Sequence, residues 1–243
     1  MCCLTIYKTK DDKLIITHNR DEQKSRHVSA NQIVCEMFGD KGVWMPKDKQ
    51  SRGTWIATDG HMAGALINGF KENHIKKDKY KASRGNIIPE LFEMESPERF
   101  IADFDPDGYE PFTLLIVDVM GVKIEYGWDE YQIHISKLNE SQSYIYSSST
   151  LYDKEVKSNR EHLFFEWLKY DRSEKDVWQL HALKGNDHSQ FLNVNYNDQI
   201  YTVAMSQIVL GETSLFHYQS IVADSLKKTL YLNSNKNIKN ESM

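Results

Sequence analysis

The sequence predicts an α+β chain in which antiparallel strand runs are interrupted by helix pairs, and three observations carry that expectation. Residues 2–70 fall into short apolar runs divided by turn signals; two later stretches place apolar residues at helical spacing; the last third returns to β-branched and aromatic runs. The size is consistent with this: 243 residues, 40% hydrophobic and 12% aromatic, can build a substantial core without disulfide staples.

In chain order, residues 2–7 and 14–17 are apolar runs joined by a charged turn, Lys10-Asp11-Asp12-Lys13, suited to a hairpin. Residues 53–58 and 62–67 flank Asp59-Gly60, a strong hairpin signal. Residues 85–104 carry apolar positions at 87, 88, 91 and 92 and again at 100, 101 and 104, a helical pattern broken near Ser96-Pro97. Strands are expected at 112–117, 122–126 and 131–135, followed by amphipathic helices at 153–170 and 174–183. The closing strands are 199–204, 207–210, 213–218 and 229–232, with Gly211-Glu212 as a hairpin turn. No repeat or low-complexity linker divides the chain, so residues 1–232 are expected to form one domain, with 233–243 a polar, frayed tail.

Composition excludes several function classes. A net charge of −5 argues against a general nucleic-acid binder, and no apolar run approaches the ~20 residues of a spanning helix. The N-terminus is apolar from its first residue and its charges come after, unlike a secretory signal. The three cysteines (Cys2, Cys3 and Cys35) do not form a disulfide framework, so a reducing, cytoplasmic setting is expected. The nine histidines show no metal-ligand spacing, and no phosphate-binding glycine loop is present; no metal or cofactor is expected. Residues 71–84 hold six Lys/Arg against two acids, and 90–110 hold eight acids against one Arg. Such blocks read as solvated faces, or, for the basic one, as a loop that receives an anion.

Two groups of residues could carry chemistry. Cys2 follows an initiator Met in a context that favours Met removal, which would leave Cys2 with a free α-amine of pKa ~7.7–8.0. That amine can serve as base for the residue's own thiol. The competing reading is a buried strand cysteine. The second group is His18-Asn19-Arg20-Asp21-Glu22, polar and charged residues at the C-terminal end of the strand at 14–17, where sites are often built; the bland reading is a surface turn. Arg20 offers a planar fork and Asp21 a carboxylate that can hold an ammonium. Surface ion pairs are the bland alternative. Pairing of 2–7 with 14–18 as a hairpin brings Cys2 close to the Asn19–Asp21 end.

With Met-Cys at the start, His18-Asn19-Arg20-Asp21-Glu22, Gly53-Thr54-Trp55-Ile56, Ala63-Gly64-Ala65-Leu66-Ile67-Asn68 and Ser83-Arg84-Gly85, the chain resembles the NRDE family, that of the Transport and Golgi Organization 2 protein. The resemblance is dense over residues 1–90 and patchy beyond. It implies a four-layer αββα sandwich of the N-terminal-nucleophile (Ntn) hydrolase type. It also implies Cys2 as nucleophile, Asp21 as the acid near the amine, Arg20 within the motif, and Asn68 as an oxyanion donor. The resemblance further implies Asn19, Arg84 and Ser149 as substrate-binding positions. Where relatives carry Ser-Asn and a small residue, this chain reads Ser147-Ser148-Ser149-Thr150, so a hydroxyl of shorter reach replaces an amide if Ser149 takes that place.

The function expected from the resemblance is a cysteine hydrolase of a small amide or thioester. The alternative is a non-catalytic carrier or chaperone for an amphiphilic anionic ligand, haem or an acyl lipid, in the same cleft. The family's association with haem mobilisation and acyl-thioester metabolism implies it. There Cys2 or a histidine would ligate haem iron and Arg84 with the basic loop would meet the propionates, although no Cys-Pro or C-x-x-C-H signature is present. A third reading is an interaction protein with a degenerate site.

Overall fold

A computed structural model describes residues 2–185, 187, 189–196, 199–222, 227–232 and 240–241. The strands in chain order are β1 (Cys2–Lys8), β2 (Leu14–Glu22), β3 (Ile33–Phe38), β4 (Lys41–Pro46), β5 (Ile56–Thr58), β6 (Met62–Asn68), β7 (Phe112–Asp118), β8 (Lys123–Trp128), β9 (Ile133–Lys137), β10 (Tyr144–Ser147), β11 (Asn195–Tyr196), β12 (Ile200–Leu210), β13 (Ser214–Ser220), β14 (Lys227–Leu232) and β15 (Asn240–Glu241). Helices α1 (Ile87–Glu93) and α2 (Pro97–Asp103) lie between β6 and β7, and α3 (Lys154–Trp167) and α4 (Glu174–Ala182) between β10 and β11. No helix among the described residues is long and apolar enough to cross a membrane.

Two antiparallel sheets result. One runs β10-β1-β2-β12-β13-β14-β15, with β11 beside β12; the other runs β3 to β9 in sequence order. Their facing sides share a core in which Leu4, Ile6 and Ile16 meet Ala63, Ala65, Leu115, Val117 and Phe216. The outer face of the second sheet packs Leu66, Leu114 and Ile116 on Ile88, Leu91 and Phe100 of α1 and α2. On the first sheet Tyr7, Ile15 and Val209 pack on Val177 of α4, with Trp167 of α3 alongside. The layers are helix, sheet, sheet, helix, and alternation along each strand sends successive side chains to different layers.

Most expected elements are present, with shifted ends. The segments 199–204 and 207–210 are one strand, β12, bent by an irregularity between Thr202 and Ala204. The expected break of 85–104 lies where Ser96 caps α2 and Pro97 opens it. Strands β3, β4 and β10 were not expected. The motif at 18–22, expected as a turn, is the second half of β2, because β1 and β12 pair with it on both sides. The expected frayed tail lies outside the described residues, apart from the backbone of Asn240–Glu241, which pairs with β14.

Candidate active site

Register places the sequence-predicted residues. Cys2 lies directly opposite Arg20, and Cys3 opposite Asn19. Cys2, His18 and Arg20 therefore face the opposite sheet, and Cys3, Asn19 and Asp21 face the helices. At the end of the sandwich, between β1–β2 and the loops after β4 and β6, a cavity of about 280 Å³ opens. Cys2, Arg20, Asn68 and Arg84 line it, together with Glu22, Arg26, Asp48, Trp55, Lys76 and Glu110. Asn19, Asp21 and Ser149 are not in its wall.

The cavity's rim depends on two glycines. A Cβ on Gly53 would stand 2.6 Å from the Cα of Gly85, so only glycines let these segments cross. Thr54 N–H donates to Gly85 O at 2.9 Å across the crossing. It sets Trp55 and Arg84 on neighbouring walls.

The wall is laced with ion pairs. Arg20 is almost fully buried, bonds Asp48 and Arg26 O, and lies 4.2 Å over the Trp55 ring. Arg26 bridges Glu22 at 2.7 Å and Asp48 at 3.0 Å. Burial alone would raise Asp48; the Ser51 N–H, Arg20, Arg26 and the Gln50 N–H outweigh it and hold the carboxyl below its usual range. Arg84 pairs with Glu110 at 3.0 Å and donates to Pro111 O at 2.9 Å.

Behind the sheet, Asp21 is fully buried and accepts from Tyr152 Oη at 2.9 Å and Thr202 Oγ1 at 2.7 Å. The irregularity in β12 brings Thr202 opposite Asp21 while Ala204 stays opposite Arg20. Arg160 of α3, also buried, stacks 3.9 Å over the Tyr152 ring and donates to Phe191 O. Burial pushes the Asp21 carboxyl up, against the Thr202 bond, the Arg160 charge and the Tyr152 bond. Asn19 donates to His181 O and Leu192 O at 2.9 and 2.8 Å, and its Oδ1 accepts from His181 Nδ1 at 3.0 Å. Its side chain is spent on holding strand to helix. Burial also pushes the Cys2 thiol up; the Asp21 charge adds to this, and Arg20 and the Asp21 backbone N–H oppose it.

The serine run after β10 joins the sheets. Ser148 N–H donates to Cys2 O at 2.9 Å, and Ser148 Oγ donates to Asn68 O at 2.9 Å, so one residue ties the strand of Cys2 to that of Asn68. Ser149 is buried, and its Oγ has no hydrogen-bond partner among the described residues. It fills the space left by Gly69, where φ is +82° and a Cβ would stand 2.1 Å from Ser149 Oγ. Sequence reasoning named Ser149 and passed over Ser148. It also passed over Asp48, Tyr152, Arg160 and Thr202, whose partners are remote in sequence.

The sequence model of the family described as Transport and Golgi organisation 2 matches residues 1–210. The chain belongs to that family. No curated protein matches its sequence. Among solved structures, a variant of conjugated bile acid hydrolase from Clostridium perfringens superposes with a TM-score of 0.61 at 11% identity, covering 100% of this chain and 97% of the other. Penicillin V acylase from Agrobacterium tumefaciens gives 0.51 at 9% identity, covering 100% and 98%. At such identities the likeness is one of fold, and the fold of this family member is Ntn-hydrolase-like.

Proposed function

We propose that the protein is an N-terminal-cysteine hydrolase of a small, polar acyl amide or thioester. The observation that carries this reading is the position of Cys2. It begins a strand in the wall of a cavity, with Arg20 opposite it, Asn68 in the same wall and the buried Asp21 close behind.

Removal of Met1 gives Cys2 its own α-amine at the strand end, where Asp21 holds it. The amine takes the proton from Sγ, and the thiolate attacks the substrate carbonyl, forming a C–S bond. The oxyanion is met by the Asn68 amide; a donor so placed contributes roughly 3 kcal/mol. Collapse breaks the C–N or C–S bond of the substrate, and the ammonium returns its proton to the leaving group. Water, deprotonated by the same amine, then cleaves the acyl-enzyme, and the proton returns to Sγ. Arg20, locked on Asp48, supplies fixed positive charge that favours the thiolate.

The carrier alternative asks for a cleft that adds a large apolar wall to its anion-binding end. Charged walls and a volume at the small end of ligand pockets support the hydrolase reading instead. The test is intact mass before and after a limiting dose of a thiol-reactive acyl mimic. Loss of Met1 with a single adduct on Cys2, formed faster than on Cys3 or Cys35, is expected. Retained Met1, or adducts spread over all three thiols, refutes it.

A further inference from the structure

We infer that His18 is a positioning residue for the reaction: its ring N–H holds Leu66 O and thereby sets the end of β6, which carries Asn68, against the strand pair that carries Cys2. The inference rests on the proposed hydrolase reading and adds to it the residue that fixes the oxyanion donor relative to the nucleophile.

His18 stands on β2 directly opposite Leu4 of β1, two residues before Arg20, with its side chain turned to the other sheet. It is fully buried, and its Nε2 lies 3.2 Å from Leu66 O. A carbonyl oxygen can only accept, so Nε2 carries the proton and donates. Burial pushes the ring down to about 4, so it is neutral in the range where an α-amine serves as base. Nδ1 has no hydrogen-bond partner among the described residues, which leaves the Leu66 bond as the ring's one polar contact there. A buried imidazole with a nitrogen unmet is a costly way to fill space that an aliphatic side chain would fill. What the imidazole adds is a tie between the two sheets.

The tie falls where β6 needs one. Pairing of β5 with β6 stops at Ile56 and Ala65. One residue on, Leu66 gives its N–H to Trp55 O at 2.9 Å, and its carbonyl turns to His18. From Leu66 to Asn68, β7 continues along one edge of the strand, while β5 no longer pairs along the other. Asn68 O accepts from Ser148 Oγ, and the Ser148 N–H donates to Cys2 O. Leu66 and Asn68 are thus both pinned to the sheet of Cys2, one by His18 of β2 and the other by Ser148 beside β1. An oxyanion donor acts only within a narrow range of position, and a displacement of about 1 Å caused from a distance can cost roughly 100-fold. Exchanging His18 for another neutral side chain changes no charge near Cys2, so a loss confined to carbonyl reagents reports position.

The experiment compares two reagents on the mature protein in a Cys35→Ser background. With p-nitrophenyl acetate, Cys2 Sγ attacks the carbonyl; a C–S bond forms, the ester C–O bond breaks and p-nitrophenolate departs, a step that passes through an oxyanion. With iodoacetamide, Sγ displaces iodide, C–S forming as C–I breaks, and no oxyanion arises. Cys2-dependent release is the difference from Cys2→Ser, and alkylation is read as the Cys2 adduct by mass. His18→Leu is expected to slow Cys2-dependent release roughly tenfold, with alkylation within about twofold of the parent. His18→Gln, whose amide N–H stands as many bonds from Cβ as Nε2, is expected to keep most of the release. Asn68→Ala is expected to lower the ratio of release to alkylation roughly 100-fold, and adding His18→Leu to lower it no further. Equal falls of both reactions in His18→Leu overturn the inference, because the site as a whole has then moved. So does an unchanged ratio, a His18→Gln as slow as His18→Leu, or a further loss in the double variant; an intact Asn68 effect then leaves the hydrolase reading standing. Where His18→Leu does not fold, His18→Asn, polar but one bond shorter, takes its place in the same comparison. Release from the parent no greater than from Cys2→Ser removes the hydrolase reading, and this role with it.

Discussion

Around the end of β2, the face turned to the opposite sheet and the face turned to α3 and α4 hold similar shares of polar side chains and use them differently. On the helix face each polar group is matched. The Asn19 amide uses both its N–H donors and its oxygen, and His181 both its ring nitrogens, on each other, on Thr5 and on backbone carbonyls, and Asp21 takes two hydroxyls with Arg160 nearby. On the face turned to the opposite sheet, Arg20 is fixed by Asp48, yet Trp55 Nε1, Arg26 Nε and His18 Nδ1, each closed off from solvent, have no hydrogen-bond partner among the described residues. A fully satisfied network makes a rigid base; a partly satisfied one carries the cost of its unmet donors. The difference teaches that one motif in a central strand can tie the strand of Cys2 to the helices behind it and, on its other face, line the cavity in front.

The sharpest way to break this comparison is to substitute the two neighbouring cysteines. Cys2→Ser is expected to lower hydrolysis of any responsive substrate by roughly 10³-fold or more while leaving stability nearly unchanged. Cys3→Ala, on the buried helix face, is expected to cost about 1 kcal/mol in urea unfolding and to preserve Cys2 labelling. Equal effects of the two on labelling would erase the distinction between faces.

Next in size is Arg160→Met. It strips Asp21 of its nearby cation and leaves Phe191 O and Ser147 Oγ without their donor. Losing one member of a buried charged set costs about 3–5 kcal/mol. Adding Asp21→Asn to Arg160→Met is expected to recover part of that loss, since no uncompensated charge remains. Strict additivity in urea melts would show that the two charges do not act as a pair.

Much of this was legible in the sequence, and the reasons for the rest are physical. The β1–β2 hairpin was readable because its apolar runs and charged turn are local, and that hairpin already brought Cys2 to Arg20. The motif itself read as a turn because charge normally marks the surface. It is strand here because both edges of β2 are paired and its buried charges find partners: Asp48 is 28 residues from Arg20 and Thr202 is 181 from Asp21. No local pattern reports such separations. Arg160 lies within the expected amphipathic helix at 153–170, and its side chain packs toward Tyr152 and Phe191, contacts that no local pattern reports.

A pH series compares the faces through one histidine on each. Burial pushes His18 down to about 4, against its bond to Leu66 O, and His181 down to about 3. Unfolded histidine titrates near 6.5, so below that pH the unfolded chain binds more protons than the folded one. The stability these neutral rings contribute is complete above pH 6.5 and is lost as pH falls toward 4 and 3. Each ring contributes a slope of up to about 1.4 kcal/mol per pH unit, and Asp21, pushed up by burial, subtracts from the sum. Unfolding free energy is expected to drop by about 1–2 kcal/mol between pH 6 and 5. His181→Gln is expected to flatten the curve by about half whatever it does to its height. An unchanged slope in that variant would place the acid sensitivity elsewhere.

The smallest expected effects separate two adjacent serines. Ser148 spends its N–H on Cys2 O and its hydroxyl on Asn68 O, so Ser148→Ala removes the side-chain half of a link between β1 and β6. A cost of about 1 kcal/mol is expected, with a slower Cys2 reaction because Asn68 is held less firmly. Ser149 Oγ has no partner to lose, so Ser149→Ala is expected to change stability by no more than about 0.5 kcal/mol, and in the favourable direction, since an unmet buried hydroxyl disappears. If Ser149→Ala instead slows acyl transfer about tenfold with stability unchanged, its hydroxyl turns to the oxyanion during reaction. The position then keeps the role that the family resemblance implies for an amide, through a shorter side chain.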